Sequence, residues 1–393
     1  MRPHDLYSSP NALAPDYSRF CVAERLLLTG HSHQAWPDRG FDAQQQAWLD
    51  AAELVDDKWP RAFAKMDEVR RGYARLLGEP DADIAIDQNT LDLVVRFLSA
   101  LPWRTRPRLV TTAGEFHTIR RLLDRLVEEG IEVVRVPAHP PETLAQRLSD
   151  AVNWRTAAVL CSSVLFQSAR IVPGLPDLAA ICAKHGTELL IDAYHHLNVV
   201  PFSIKGLERA YIVGGGYKYC QLGEGVCCMR LPKDCALRPV TTGWFTEFDA
   251  LASRHDGRVG YGAGGARFAG ATFDPTSVYR AAAVFAFFEE RRLTPELLRE
   301  VSQHQVGILA ERFDALNLDP AFIRRDVVPL REIGGFLVLW SPHAGELSRA
   351  LKERGVRTDH RGDALRLGPA PYQSDVQLRE AMAILGQVSQ ERY

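Results

Sequence analysis

Lys218 lies in Gly214-Gly215-Gly216-Tyr217-Lys218-Tyr219, one strand-to-strand crossover after Asp192, the last residue of the apolar run Leu189-Leu190-Ile191-Asp192. A lysine amine can condense with an aldehyde, and a carboxylate at the end of a buried strand can keep a pyridine nitrogen protonated, so that the ring accepts electrons. Together the two residues point to pyridoxal phosphate as cofactor. Each alone has an ordinary use: a strand-end Asp commonly caps a helix or forms a turn, and a Lys in a glycine-rich loop is usually solvated.

A phosphate needs backbone N–H groups, which a helix N-terminus offers. Asp87-Gln88-Asn89-Thr90 directly precedes Leu93, Val94, Phe97, Leu98 and Leu101, spaced to draw one apolar helical face. Asn89 or Thr90 can cap that helix and still donate to a phosphate oxygen. The plain alternative is a cap with no ligand, and Asp92 in the first turn favours it, because its charge repels a phosphate unless turned away. Phe116, in Gly114-Glu115-Phe116-His117-Thr118, is placed either to stack on a planar ring or to join the core. His195 is placed to cover or hydrogen-bond the cofactor edge, with His196 facing elsewhere. Arg366, within Ala364-Leu365-Arg366-Leu367-Gly368, needs a carboxylate partner in its apolar setting. That partner is either a substrate carboxylate held by a bidentate clamp or an internal salt bridge.

These residues need elements to position them. From about residue 84 to 232, strand-like runs alternate with helix-period segments, the pattern of β-α units around a mostly parallel sheet. Arg108 to Ala113, Glu132 to Pro137, Ala157 to Phe166, Glu188 to Asp192, Ala210 to Val213 and Gly225 to Arg230 read as strands. Thr118 to Glu129, Glu142 to Val152 and Asp177 to His185, closed by Gly186, read as helices. Ligands of such sheets sit outside the carboxyl ends of the strands, where Asp192 and Lys218 both fall. The fold class is therefore α/β. A large cofactor-binding domain is expected over residues 46–292, and a smaller α+β domain from residues 1–45 and 293–393.

Composition sets the class of protein: 393 residues, 46% hydrophobic, 24% charged and net charge −2, an ordinary soluble enzyme with room for two domains. Basic residues form isolated pairs and no stripe, so nucleic acid is not expected as a partner. Seven cysteines, mostly in apolar runs, read as reduced core residues, and the start of the chain has no apolar leader segment. No stretch reaches the roughly 18 apolar residues of a spanning helix. The expected place is the cytoplasm, without a membrane partner.

These motifs together resemble the class V branch of the aspartate-aminotransferase fold, and more specifically the kynureninases, from about residue 25 to 375. Asp192-Ala193-Tyr194-His195 is similar to that family's Asp-x-x-His, and Tyr217-Lys218-Tyr219 to its Tyr-Lys-Tyr. The resemblance implies fold type I, with Lys218 as the Schiff-base lysine, Asp192 at the ring nitrogen, His195 beside it, and Tyr217 as phosphate ligand and proton donor. Phe116 matches the stacking Phe, Asn89-Thr90 the phosphate-binding Thr-Ser pair, and Leu365-Arg366-Leu367-Gly368 the segment with the substrate-carboxylate Arg. Gly243-Trp244-Phe245 and Arg267-Phe268-Ala269-Gly270-Ala271-Thr272 match segments that bring Trp244 and Thr272 to the partner subunit's phosphate, implying a homodimer with shared sites.

Two segments depart from the family. Leu165-Phe166-Gln167-Ser168-Ala169 stands where the family has Asn-Tyr-x-Thr-Gly, so Ser168 takes the place of the Thr. Gly30-His31-Ser32-His33-Gln34 replaces Gly-Asn-Ser-Leu-Gly and adds two imidazoles near the expected substrate pocket, with His31 and Ser32 as substrate-binding candidates.

The activity implied by the resemblance is hydrolytic Cβ–Cγ cleavage of an amino acid, releasing alanine and a carboxylic acid, with Tyr217 and Lys218 relaying protons. Transamination or elimination of a β-substituent starts from the same chemistry. Desulfuration of cysteine needs a mobile cysteine in a late loop, and none follows Cys235. A different class, a metal-dependent amidohydrolase, would use His31 and His33 with Asp192, His195 and His196. Its barrel wants strand-helix alternation from the first residues, whereas Phe41 to Leu77 reads as helical. A binding protein without turnover would not need Lys218, Asp192 and Arg366 all in place. Gly260-x-Gly262-x-x-Gly265 has no strand before it, and the glycines before Lys218 lack the spacing of a phosphate-binding loop.

Overall fold

Apolar runs too short for helices and rich in β-branched residues pair side by side as the centre of the protein. The computed structural model describes residues 1–251 and 257–391. Short 3₁₀ turns between Pro3 and Glu24 lead to β1 (Leu26–Leu27), then α1 (Arg39–Leu54) and α2 (Trp59–Leu76). Next come β2 (Asp83–Asp87), α3 (Thr90–Ser99), β3 (Arg108–Thr112), α4 (His117–Glu128), β4 (Glu132–Val136), α5 (Leu144–Ala151) and β5 (Thr156–Ser162). They are followed by α6 (Leu175–His185), β6 (Glu188–Asp192), β7 (Tyr211–Gly215), β8 (Cys227–Leu231), α7 (Thr276–Arg291) and α8 (Pro295–Ala315). The chain closes with β9 (Leu337–Trp340), α9 (Ala344–Glu353), β10 (Val356–Arg357), β11 (Asp359–Arg361), β12 (Ala364–Leu367) and α10 (Asp375–Gln390).

Seven strands form one sheet in the order β2-β8-β7-β6-β5-β3-β4. β4, β3, β5, β6 and β7 run parallel, and β8 is antiparallel to both of its neighbours. Both faces of the sheet are covered, so its inner strands are apolar at nearly every position. Val110, Val159, Leu189, Ile191 and Ile212 pack into one core on one face; Leu109, Ala158, Leu160, Leu190 and Val213 pack into another. This alternation is the period of two that a strand imposes on its side chains.

A third cluster gathers Val306, Leu309, Leu337, Leu339, Leu347, Leu365, Leu378 and Leu385, with Leu26 and Leu28 of the N-terminal segment. It covers a three-stranded sheet, β11-β12-β9, and β1 pairs in parallel with β10 beside it. Leu6, Leu13, Tyr17 and Val22 pack instead into the larger core, and α8 spans both, with Leu298 and Val301 in one and Val306 and Leu309 in the other. Hence the N-terminal segment divides its side chains between this cluster and the larger of the sheet's two cores.

β5 ends four residues before its sequence predicts. The apolar run to Phe166 reads as continuous, yet β5 stops at Ser162. Beyond it the chain turns back on itself: Val164 bridges Ile171, Leu165 N–H donates to Arg170 O, and Ala169 takes a φ of 61°. No helix of the described residues is long and apolar enough to cross a membrane.

Candidate active site

Because β5, β6 and β7 run parallel, Ser162, Asp192 and Gly215 reach the same edge of the sheet. A cavity of about 290 Å³ opens there, lined among others by Asn89, Thr90, Phe116, Ser162, Asp192, His195, Tyr217 and Lys218. Seven of the residues singled out in the sequence thus share one wall system.

Asp192 ends β6 and is fixed from behind, its Oδ1 accepting the Tyr194 N–H at 2.8 Å. Burial raises its pKa, opposed by that N–H and by the charge of Lys218. It is partly exposed and lines the cavity. Lys218 is buried, with its Nζ 2.7 Å from His195 Nε2 and over the rings of Tyr194 at 4.5 Å and Phe116 at 5.4 Å. Burial lowers its pKa to about 7; Asp192 works against the shift and Arg366 adds to it. The amine is therefore available as free base near neutral pH, the state a nucleophile needs. Burial, then the charges of Lys218 and Arg366, hold His195 well below its usual range, so it is neutral, and its Nδ1 is buried with no hydrogen-bond partner.

Tyr217 is half-buried; its ring stacks on His33 at 4.7 Å and tilts against Tyr194 at 5.1 Å. Burial raises its phenol pKa. A backbone bond from Gln34 N–H to Tyr217 O ties the N-terminal segment to the Lys218 loop.

On the opposite wall α3 presents its N-terminus. Asn89 is the N-cap, its side chain accepting from Asp92 N–H at 3.0 Å, while its Nδ2 donates to the Asp92 carboxylate at 2.8 Å. Thr90 and Leu91, whose N–H groups have no partner within the helix, line the cavity; Asp92 lines a neighbouring hollow. The charge that would repel an anion is thus turned aside. Phe116, the N-cap of α4, stands edge-on to Phe166 at 5.4 Å and keeps a ring on the cavity wall.

Other candidates lie elsewhere. Ser168 does not line the cavity: the turn after β5 carries it away, and its Oγ is buried without a partner. Trp244 is 43% exposed and leans on Phe245 and Phe248. Thr272 lines the neighbouring hollow of about 810 Å³, which shares Gln88 and Gly225 with the smaller cavity but holds no lysine or histidine among the described residues.

His31, Ser32 and Arg366 also stand off the cavity wall. Ser32 Oγ is 3.2 Å from His33 Nδ1. Arg366 is buried on β12 and forms the internal salt bridge that its sequence setting left open: Nε and Nη2 meet the two oxygens of Asp359 at 2.8 and 2.5 Å, and Nη1 donates to Phe166 O at 2.7 Å. His31, fully buried, reaches the same carboxylate through Nε2 at 2.8 Å. Burial lowers the pKa of His31 to about 4, so it is neutral and donates this bond.

Asp359 was not singled out in the sequence, although hairpin counting finds it: around a Gly362-Asp363 turn, Arg361 pairs with Ala364 and Asp359 falls opposite Arg366. Glu115 was also missed. It is a buried carboxylate between β3 and β5 that accepts from Thr112 and Ser162 hydroxyls, each at 2.6 Å, and burial raises its pKa to about 7. No group of three or more His, Cys, Asp or Glu among the described residues is placed to hold a metal ion.

No protein-family model matches the chain. The sequence is 22% identical over 341 residues to an uncharacterized aminotransferase, YcbU, of Bacillus subtilis, covering 86% of this chain and 87% of the relative. Among solved structures it is similar to a C-DES variant with glycine covalently linked to the PLP cofactor, with TM-score 0.83 and 17% identity, covering 95% of this chain and 98% of the other. A cysteine desulfurase from Thermococcus onnurineus matches with TM-score 0.80 and 14% identity, covering 97% and 98%. These likenesses show the fold: type I of the PLP-dependent transferases, a mostly parallel central sheet flanked by helices. The open sheet excludes the barrel of an amidohydrolase.

Proposed function

We propose that this chain is a pyridoxal-phosphate-dependent enzyme acting on an amino acid, and that its reaction is kynureninase-like hydrolytic Cβ–Cγ cleavage, releasing alanine and a carboxylic acid. The observation that carries the cofactor assignment is a buried lysine amine lining the same cavity as a strand-end carboxylate, an aromatic ring and the N-terminus of α3. The cavity fits the group in its donor set: an amine, a carboxylate, an aromatic face, unspent N–H groups of a helix, and the orphaned Nδ1 of His195.

Lys218 would hold the cofactor covalently and Asp192 would keep its ring nitrogen protonated. Phe116 and His195 would cover the ring, while Asn89, Thr90 and Tyr217 would receive the phosphate. When bound, the cofactor supplies an electron sink for a carbanion at the substrate's α-carbon. Lys218 Nζ takes and returns the α-proton, which a pKa near 7 allows in both directions. The Tyr217 phenol, kept protonated by burial, supplies a second proton beside it. Arg366 would receive the substrate carboxylate. Trp244 and Thr272, which stand off the cavity of their own chain, would complete the phosphate site of a second copy in a homodimer.

A cysteine-based desulfuration finds no nucleophile, because the β11-β12 hairpin near the clamp carries Asp359, His360 and Arg361 and no cysteine follows Cys235. The reaction is tested by incubating the enzyme with kynurenine, 3-hydroxykynurenine and β-substituted alanines. Alanine plus an aromatic acid is expected from the first two. Pyruvate and ammonia from the alanines alone would make it a β-eliminating lyase, and keto-acid exchange alone an aminotransferase.

A further inference from the structure

We infer that Asp359 and His31 are positioning residues that hold one edge of Arg366, so that its remaining N–H groups face the substrate carboxylate. This rests on the amino-acid reading proposed above. A guanidinium has five N–H donors in a fixed plane. Asp359 takes the edge formed by Nε and Nη2, and Phe166 O takes one N–H of Nη1, which leaves one N–H on each terminal nitrogen. Phe166 itself lines the Lys218 cavity, and the charge of Arg366 is felt at both Lys218 and His195. The spare donors are thus held beside the cavity where an amino acid would bind.

Asp359 is built in and not a loose competitor. It lies directly opposite Arg366 in the β11-β12 register. His31 Nε2 holds its Oδ1 at 2.8 Å, and the His31 ring is clamped against Phe336 at 4.6 Å. Gly368 makes the space: a Cβ there would lie 2.3 Å from His31 Nδ1. His31, fully buried, cannot meet a substrate from solvent and acts through Asp359. Arg361, on the same face of β11, stands 3.6 Å from Asp359 Oδ2. Two guanidinium cations against one carboxylate and a neutral imidazole leave the cluster positive, as an incoming carboxylate requires.

The test uses holoenzyme titrated with L-alanine and with L-alaninamide, which keeps the amine and side chain but lacks the carboxylate; binding is read from the cofactor's visible absorbance. Asp359→Asn and His31→Leu should weaken L-alanine about tenfold or more, the scale of one charge-assisted pair. L-alaninamide should be nearly unaffected. His31→Gln, which keeps an N–H near the place of Nε2, should regain most of the loss. Equal weakening of both ligands, unchanged L-alanine binding, or tighter L-alanine binding in Asp359→Asn would each overturn the inference. Should Asp359→Asn not fold, the His31 pair carries the test alone. A wild-type protein that takes up no pyridoxal phosphate would instead sink the underlying reading, and would show this before any variant is compared.

Discussion

A buried ammonium must find an anion or give up its proton, and Lys218 is held by a neutral imidazole, not by a carboxylate. Its pKa of about 7 follows, and with it a sign. Below pH 7 the amine is protonated and cannot attack an aldehyde. The rate at which cofactor-free protein takes up pyridoxal phosphate, followed by absorbance, should rise with pH through about 7 and then level off. An ordinary lysine would keep gaining toward pH 10. Unfolding should show the same group: between pH 7 and 10 the unfolded chain holds a proton that the native chain has lost, so cofactor-free protein should gain stability with pH there, and Lys218→Met should remove that gain. Lys218 and Asp192 were legible in the sequence because strand ends are fixed by the apolar run before them. Ser168 was not, since its direction depends on how the chain leaves β5, and the apolar Val164, Leu165 and Phe166 look like more strand.

At the scale of elements, the alternation of strands and helices from β2 to β8 was readable because doubly covered strands are apolar throughout, and α6 ends at Gly186, with φ 58°, as its sequence predicts. The β11-β12 hairpin falls in the stretch expected as a smaller α+β domain, and only pairing across its turn sets Asp359 opposite Arg366, whose partner, substrate or internal, the apolar setting alone leaves open. The hairpin, the strand bridge at Thr29 and Gly368, and His31 form one packed unit. Gly368→Ala would push its new methyl into the His31 ring. We expect a loss of about 1–3 kcal/mol in chemical denaturation, the usual cost of overpacking. L-alanine binding should weaken with it while the cofactor is retained, and wild-type stability in this variant would contradict the packing described.

Across the whole molecule, β1 and the last hundred residues bring Arg366 and Asp359 to the edge of a sheet built from the middle of the chain. This long-range placement lies beyond any local pattern. The proposed division into a large domain at 46–292 and a small one from 1–45 and 293–393 gives this geometry a simple origin, a site between two cores. In the proposed homodimer, half-exposed Trp244 and the hollow around Thr272 would face the second copy. Sedimentation should give twice the 43.9 kDa chain mass, and Trp244→Ala should release cofactor more readily. A monomer that retains full cofactor affinity would refute the shared site.

The proposed chemistry rests on a covalent bond between Lys218 and the cofactor. Purified protein incubated with pyridoxal phosphate, reduced with borohydride and digested should yield one modified peptide, carrying the pyridoxyl mass on Lys218, and none from Lys218→Ala. Modification spread over surface lysines, with Lys218 unlabelled, would contradict it.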